Sequence, residues 1–193
     1  REFFERQALR ELSKPEVTLC LKLMEMQRNL MLMYTSCGWF FSELSGIETV
    51  QILQYASRAI HLAREVNGTN CERDFLEHLA LAKSNIESIK DGQGVYEKFV
   101  KPAFATLHHI VSYYAIGSIF ENFYAPDPKT DLVKIFNFDL HVLHQRKEFF
   151  GTVTMNFGRV RVVSQTTLEE QDLMFVVIQI GFYDFRCSVK PYA

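Results

Sequence analysis

Few residues of this chain offer reactive groups, and most of those lie in one stretch between two helical patterns. Cys37 could act as a nucleophile if a histidine base lay within reach, and His108 and His109 are the candidates. A shared metal site for these histidines is disfavoured, because adjacent helix positions point about 100° apart. We expect one of them to hydrogen-bond inside the protein and the other to face a groove. No C-x-x-C pair and no zinc-type spacing is present, so the sequence predicts neither metal nor cofactor.

The same stretch contains carboxylates beside the only tryptophan. Glu43 and Glu48 could form a pair of general acid and base. Ser45 and Glu48 have capping-box spacing, which gives Glu48 a structural role and leaves Glu43 as the freer carboxylate. Trp39 offers a flat apolar face that could cover a pyranose ring, and it could equally fill the space between helices. The sequence leaves both roles open.

Charge and motifs exclude several classes of function. The formal charge of -2 gives no general attraction to nucleic acid or to anionic membranes. The chain has no glycine-rich phosphate loop, no H-E-x-x-H and no G-x-S-x-G. No apolar run reaches the roughly 18 residues of a membrane span, and no signal peptide is recognisable. With its unpaired cysteines, this predicts a cytoplasmic protein that binds neither membrane nor nucleic acid.

Helical periodicity dominates the first part of the chain. The pattern before residue 34 predicts a central helix, packed by more than one neighbour, with a polar side opposite its apolar face. The apolar face carries Leu19, Leu23, Met26, Leu30 and Met33, and the polar side carries Lys22, Glu25 and Asn29. A second helix is expected from Gly46 or Ile47 to Val66, and further helical patterns reach about Phe120.

The period then changes from helical to two, after a linker at residues 125–128. Alternating apolar residues predict antiparallel strands joined by short turns, with a bulge at Phe157 and Gly158. Helices followed by strands indicate an α+β fold. We therefore expect an antiparallel bundle of about five helices over residues 1–125 and an antiparallel β-sheet over residues 126–193, packed on or beside the bundle.

The segment 34–48, here called the connector, must position the candidate residues. A link of this length usually lies on the surface, where clustered aromatic side chains are costly to expose. It is therefore either folded back into a core or forms the lip of a site. If it forms a site, the candidate substrate-binding residues are Tyr34, Cys37, Trp39, Phe41 and Glu43.

The connector also carries a family resemblance. The runs M-Y-T-S-C-G-W-F-F at 33–41 and L-S-G-I-E-T-V-Q at 44–51 resemble a domain of unknown function, which lies C-terminal to the catalytic barrel in a subgroup of glycoside hydrolase family 57 proteins. Y-A-S-R-A at 55–59 and G-R-V-R-V at 158–162 also fit. The chain departs at Ser42, where the family commonly has an acidic residue, so Glu43 is left to supply charge nearby.

This resemblance implies a role in carbohydrate metabolism. Family 57 enzymes act on α-glucans with a Glu nucleophile and an Asp acid on an incomplete (β/α) barrel, and a helical domain closes part of the cleft. Because those carboxylates belong to the barrel, we expect this chain to be a fragment that is inactive alone. Its implied partners are the catalytic barrel of the same parent chain and an α-glucan ligand.

Two other hypotheses belong to different classes. A purely structural or interaction module without a ligand site would bury the connector. An autonomous cysteine hydrolase would need Cys37 within about 4 Å of a histidine in a pocket.

Overall fold

The computed structural model describes residues 2–120, 126–127 and 129–192, except for the side chain of Trp39. The chain forms two compact units, Arg1–Phe104 and Ala105–Ala193, which we call the helical unit and the sheet unit. Among the described residues, no helix is both long enough and apolar enough to cross a membrane.

The helical unit contains two long helices and several short ones. Ser13 and Glu16 form a capping box at the start of α2, and Pro15 occupies its first turn, where no backbone N–H is needed. The helices are α1 (Glu2–Gln7), α2 (Lys14–Leu32), α3 (Ile47–Asn67), α4 (Glu72–Leu79) and α5 (Gly92–Val95), with shorter helical turns at Ser36–Trp39, Tyr96–Val100 and Lys101–Ala103.

The core of the helical unit lies between α3 and the segment that follows α4. Each Å² of apolar surface that its side chains bury stabilises the unit by about 25 cal/mol. The cluster consists of Leu53, Ile89, Val95, Tyr96 and Val100, with Leu44, Val50, Phe75, Leu76 and Leu79 packed against it.

Helix α2 buries part of its predicted polar side and leaves part of its predicted apolar face exposed. Its only buried residue among those described is the polar Asn29, and Lys22 forms an ion pair with Glu65 of α3 at 3.1 Å. The apolar face instead includes exposed side chains, namely Leu19, Leu23, Met24 and Met31. The prediction of a central helix is therefore wrong: periodicity identifies an apolar face but not whether anything covers it.

Helix α4 is shorter than its sequence pattern, which continues to Ile89. It ends at Leu79, and the following residues form a compact turn. In that turn Ser84 N–H donates to the Lys90 carbonyl and Gly92 N–H to the Ala82 carbonyl. These backbone bonds replace the helical ones and bring Ile89 into the core.

The sheet unit packs one helix on an antiparallel sheet whose strands follow each other in chain order, β1-β2-β3-β4-β5. Helix α6 contacts β3, β4 and β5. Tyr114 of α6 is fully buried, and its hydroxyl donates to Gln145 at 2.6 Å. The bounds are α6 (Leu107–Gly117), β1 (Leu132–Ile135), β2 (Phe138–Phe150), β3 (Val153–Ser164), β4 (Glu170–Ile180) and β5 (Asp184–Pro191).

The irregularity predicted in β3 lies in β2 instead. The register shifts between Val142 and His144, while β3 keeps one phase through its partner positions. Asn156 and Gly158 continue the inward face of β3. A Cβ at Gly158 would lie 2.3 Å from the His144 carbonyl oxygen, so the glycine permits the close approach of the two strands.

These observations confirm the predicted α+β class, with helices preceding an antiparallel sheet. Nothing tests the predicted domain boundary after residue 125, which stays a prediction. By internal contacts, the compact units divide between Phe104 and Ala105, since α6 packs on the sheet. Ala125 and Pro128 of the predicted linker lie outside the described residues.

Candidate functional site

The connector presents aromatic side chains to solvent. Tyr34 is 73% exposed, Phe40 75% and Phe41 58%. Trp39 closes a short helical turn, Ser36–Trp39, but its side chain lies outside what the structure describes. The sugar-stacking role of Trp39 therefore stays a prediction, while its neighbours offer exposed aromatic surface.

Contacts with α3 and with the turn after α4 hold the connector in place. Its helical turn packs on α3. A Cβ at Gly38 would lie 2.2 Å from the Ile52 Cδ1 atom, so the glycine here permits close packing on α3. The Asn85 side-chain amide donates to the Ser42 carbonyl at 2.6 Å.

Glu43 is the main link between the connector and this turn. Its Oε1 accepts from the Ser84 hydroxyl at 2.7 Å and from the Ser45 backbone N–H at 3.0 Å. Its Oε2 accepts from the Asn85 backbone N–H at 2.7 Å. Both oxygens thus bond within the chain, and the predicted contact with sugar hydroxyls would have to use their remaining lone pairs.

These bonds favour the ionised carboxylate. The hydrogen bond from Ser84, with those from the backbone of Ser45 and Asn85, lowers the pKa of Glu43 to about 2. The capping box predicted for Ser45 and Glu48 is not formed, because Gly46 is the N-cap of α3 and no side chain caps it.

Within the helical unit, no described residue pairs with Cys37 as a nucleophilic base would. Cys37 is an exposed free thiol, and no described histidine of the helical unit hydrogen-bonds to it. In the sheet unit, His109 has a structural role, since its Nδ1 lies 3.1 Å from the backbone nitrogen of Thr106 and completes a capping box at the start of α6. His108 is half-buried, and its role stays open.

The described part of the connector offers a surface that suits stacking. Within residues 2–120, 126–127 and 129–192, no three His, Cys, Asp or Glu side chains are grouped to hold a metal. What the connector offers is exposed ring faces on a segment fixed by hydrogen bonds. Such a surface can bind the apolar face of a ligand with little reordering.

A cavity in the helical unit was missed by sequence reasoning. It is lined by residues of α3, the start of α4 and the segment around Tyr96 and Phe104, and none of the connector residues lines it. Thr69 and Glu72 have the spacing of a capping box, but Cys71 is the N-cap of α4 and no side chain caps it. Only the tertiary fold brings Glu72 to Tyr96, so no local pattern pointed to this site.

Comparison with known proteins identifies the family but not an activity. No curated protein and no solved structure matches the chain. One family model, a domain of unknown function (DUF3536), matches residues 1–193. Because this match covers the whole sequence, the chain belongs to the DUF3536 family.

Proposed function

We propose that this chain is a non-catalytic companion domain of a family 57-like, α-glucan-active enzyme, in which the connector forms part of the glucan-binding cleft. One observation carries the proposal: Tyr34, Phe40 and Phe41 are exposed on a segment that Glu43 fixes in place. The sequence resemblance of the same segment supports it. Catalysis would come from carboxylates of the barrel of the parent chain.

Each candidate residue has a defined role in this proposal. Phe40, Phe41 and Trp39 stack on sugar rings, and Tyr34 adds a phenol that is both apolar and hydrogen-bonding. Glu43 orients the connector and remains a candidate acceptor for hydroxyls. Cys37 borders this surface as an exposed thiol. The exposed free cysteines also support a reducing, cytoplasmic location.

Isothermal titration of the natural protein with maltoheptaose tests the proposal. The double variant Phe40→Ala, Phe41→Ala should raise the Kd roughly fivefold or more, because truncating an aromatic anchor costs about 1 kcal/mol or more. Trp39→Ala should act in the same direction. The matched control is Phe182→Ala, Tyr183→Ala, which removes two exposed rings from the β4–β5 turn. Equal Kd values for the wild type and the connector variants would refute the sugar-binding role.

A second candidate, an interaction module without a ligand site, is favoured by α2. Leu19, Leu23 and Met31 of this helix are exposed, and an apolar surface of neighbouring exposed side chains is typical of an interaction site. In the parent enzyme this face would pack on the catalytic barrel. Replacing Leu23 and Met31 with serine would then weaken assembly with the barrel and leave the maltoheptaose Kd of the connector unchanged.

A further inference from the structure

The cavity in the helical unit has the size of a small-ligand site. Its volume is about 220 Å³, below the roughly 300–1,000 Å³ of pockets for drug-sized ligands. It lies within residues 57–104, so it is formed by the helical unit alone. It shares no residue with the connector, and an inference about it is independent of the function proposed above.

Buried polar groups form one side of this cavity. The Tyr96 hydroxyl lies 3.0 Å from the Ser57 hydroxyl and 3.2 Å from Glu72 Oε1, and Tyr96 is 1% exposed. Burial raises the pKa of Tyr96, which keeps its hydroxyl protonated. No described residue hydrogen-bonds to Glu72 Oε2. The cavity therefore retains an acceptor that can take a ligand hydroxyl.

Cationic side chains line the cavity as well. The Arg64 side chain has no ion pair or hydrogen bond with any described residue. Lys101 pairs with Glu97 at 3.1 Å, but both side chains are about half exposed, so this pair is weak and can exchange. The Glu97 carboxylate offsets the charge of Lys101, which leaves Arg64 as a lining cation without a carboxylate partner among the described residues. Its guanidinium can therefore take an oxyanion of a ligand.

Aromatic rings complete the lining. The rings of His61 and Phe104 pack with centroids 4.4 Å apart. The hydrogen bond between His61 Nε2 and Glu65 Oε1, at 2.8 Å, fixes the imidazole. A pair of rings held in this way supplies an apolar surface for the C–H groups of a ligand.

We propose that this cavity binds a small hydroxylated anion of the hexose phosphate or hexonate class. Its anionic group would lie on Arg64 and Lys101, where the guanidinium can donate two parallel hydrogen bonds to an oxyanion. Its hydroxyls would bond to Glu72 and Ser57, and its C–H face would cover Phe104. The shared chemistry is one oxyanion joined to a polyol.

Isothermal titration of the whole chain with four probes tests this: glucose 6-phosphate, gluconate, glucose and inorganic phosphate. Binding of glucose 6-phosphate or gluconate, at least roughly tenfold tighter than of glucose or phosphate, is expected because both halves of the ligand contribute. Comparing the affinities of the two anions shows whether the site prefers a phosphate or a carboxylate. If neither binds, or if inorganic phosphate binds as tightly as both, the proposal is wrong.

Variants then assign the binding to this cavity. Arg64→Gln should weaken binding by roughly tenfold or more, as expected for a lost charge-assisted contact. Arg73→Gln is the matched control, because Arg73 is an exposed arginine of α4 outside the lining. Both residues are exposed, so both variants should fold, which circular dichroism checks. Equal affinity of Arg64→Gln and Arg73→Gln would overturn the assignment, whatever the connector variants do to glucan binding.

Discussion

Glu43 joins the connector to the turn after α4 through both of its carboxylate oxygens, and the three bonds they accept favour the ionised form. Its partners are the Ser84 hydroxyl and the backbone N–H groups of Ser45 and Asn85. Charge-assisted bonds of this kind are stronger than bonds between neutral groups. At the scale of one residue, this is the interaction that keeps the aromatic surface in position.

We predict that Glu43→Gln lowers the melting temperature of the helical unit by a few degrees. The variant should also lose less of its stability than the wild type when the pH is lowered. The pKa of Glu43 is depressed to about 2 in the folded chain, so its contribution is fully present above about pH 4.5 and is lost as the pH falls towards 2. Thermal unfolding at pH 6 and pH 3 measures this. Wild-type protein should lose more stability between these pH values than the variant does.

Glu48→Gln is the control for the loss of a carboxylate from the same segment. None of the described hydrogen bonds of α3 and the connector uses the Glu48 side chain, since Gly46 caps the helix without one. We expect its melting temperature to stay close to that of the wild type. A Glu43→Gln protein with the same melting temperature and pH profile as Glu48→Gln would contradict the assigned role.

At the scale of elements, we predict that truncating a polar side chain of α2 costs more stability than truncating its exposed apolar ones. An ordinary amphipathic helix shows the reverse order. Asn29 is 2% exposed, and its amide donates to the Glu25 carbonyl at 2.8 Å and to Glu25 Oε1 at 3.0 Å. Asn29→Ala should therefore cost about 1–3 kcal/mol of unfolding free energy. Met24→Ala and Met31→Ala should each stay within about 0.5 kcal/mol, because both side chains are exposed.

Urea unfolding of the three variants measures this order. The same methionine variants, tested in the parent enzyme, separate stability from assembly: if α2 docks there, they affect association and not the fold of the isolated chain. A larger loss for Met24→Ala than for Asn29→Ala would show that the apolar face is the buried one.

The sequence predicted local features well and tertiary ones poorly. The bounds of α3 lie within one residue of those predicted, although the capping box that suggested its start does not form, and the change to strands followed from the change of period. The end of α4 was missed because the competing contacts of Ser84 and Asn85 come from Glu43, which is distant in the chain. The bulge was placed on the wrong strand because a buried Asn156 interrupts the apolar alternation of β3.

The candidate site likewise has features that the sequence could predict and features that it could not. The connector was found from its composition, since rings, a thiol and carboxylates within one link are unusual. The role of Glu43 could not be found, because its partners Ser84 and Asn85 lie 41 and 42 residues away in the chain. The cavity around Tyr96 could not be predicted either, because its polar groups come from α3, α4 and the segment after α5, which meet only in the folded chain.

At the scale of the whole molecule, the two compact units have separate apolar clusters. The cluster of the sheet unit joins α6 to all five strands, and includes Tyr114, Leu140, Val160, Val162 and Leu173. That of the helical unit is smaller and leaves α2 largely outside it. Because burial of apolar surface is the main favourable term in folding, the sheet unit should be the more stable one.

We predict that the units unfold separately, the helical unit first. Leu53→Ala and Leu140→Ala make the same chemical change in the two clusters, and each should cost about 2–5 kcal/mol. Hydrogen exchange followed by mass spectrometry shows which unit has lost stability. Leu53→Ala should accelerate exchange in residues 47–104 and leave β2 to β4 protected, because these strands pack in the other cluster. Leu140→Ala should accelerate exchange in the strands. If either variant accelerates exchange equally in both units, the chain unfolds as one cooperative body.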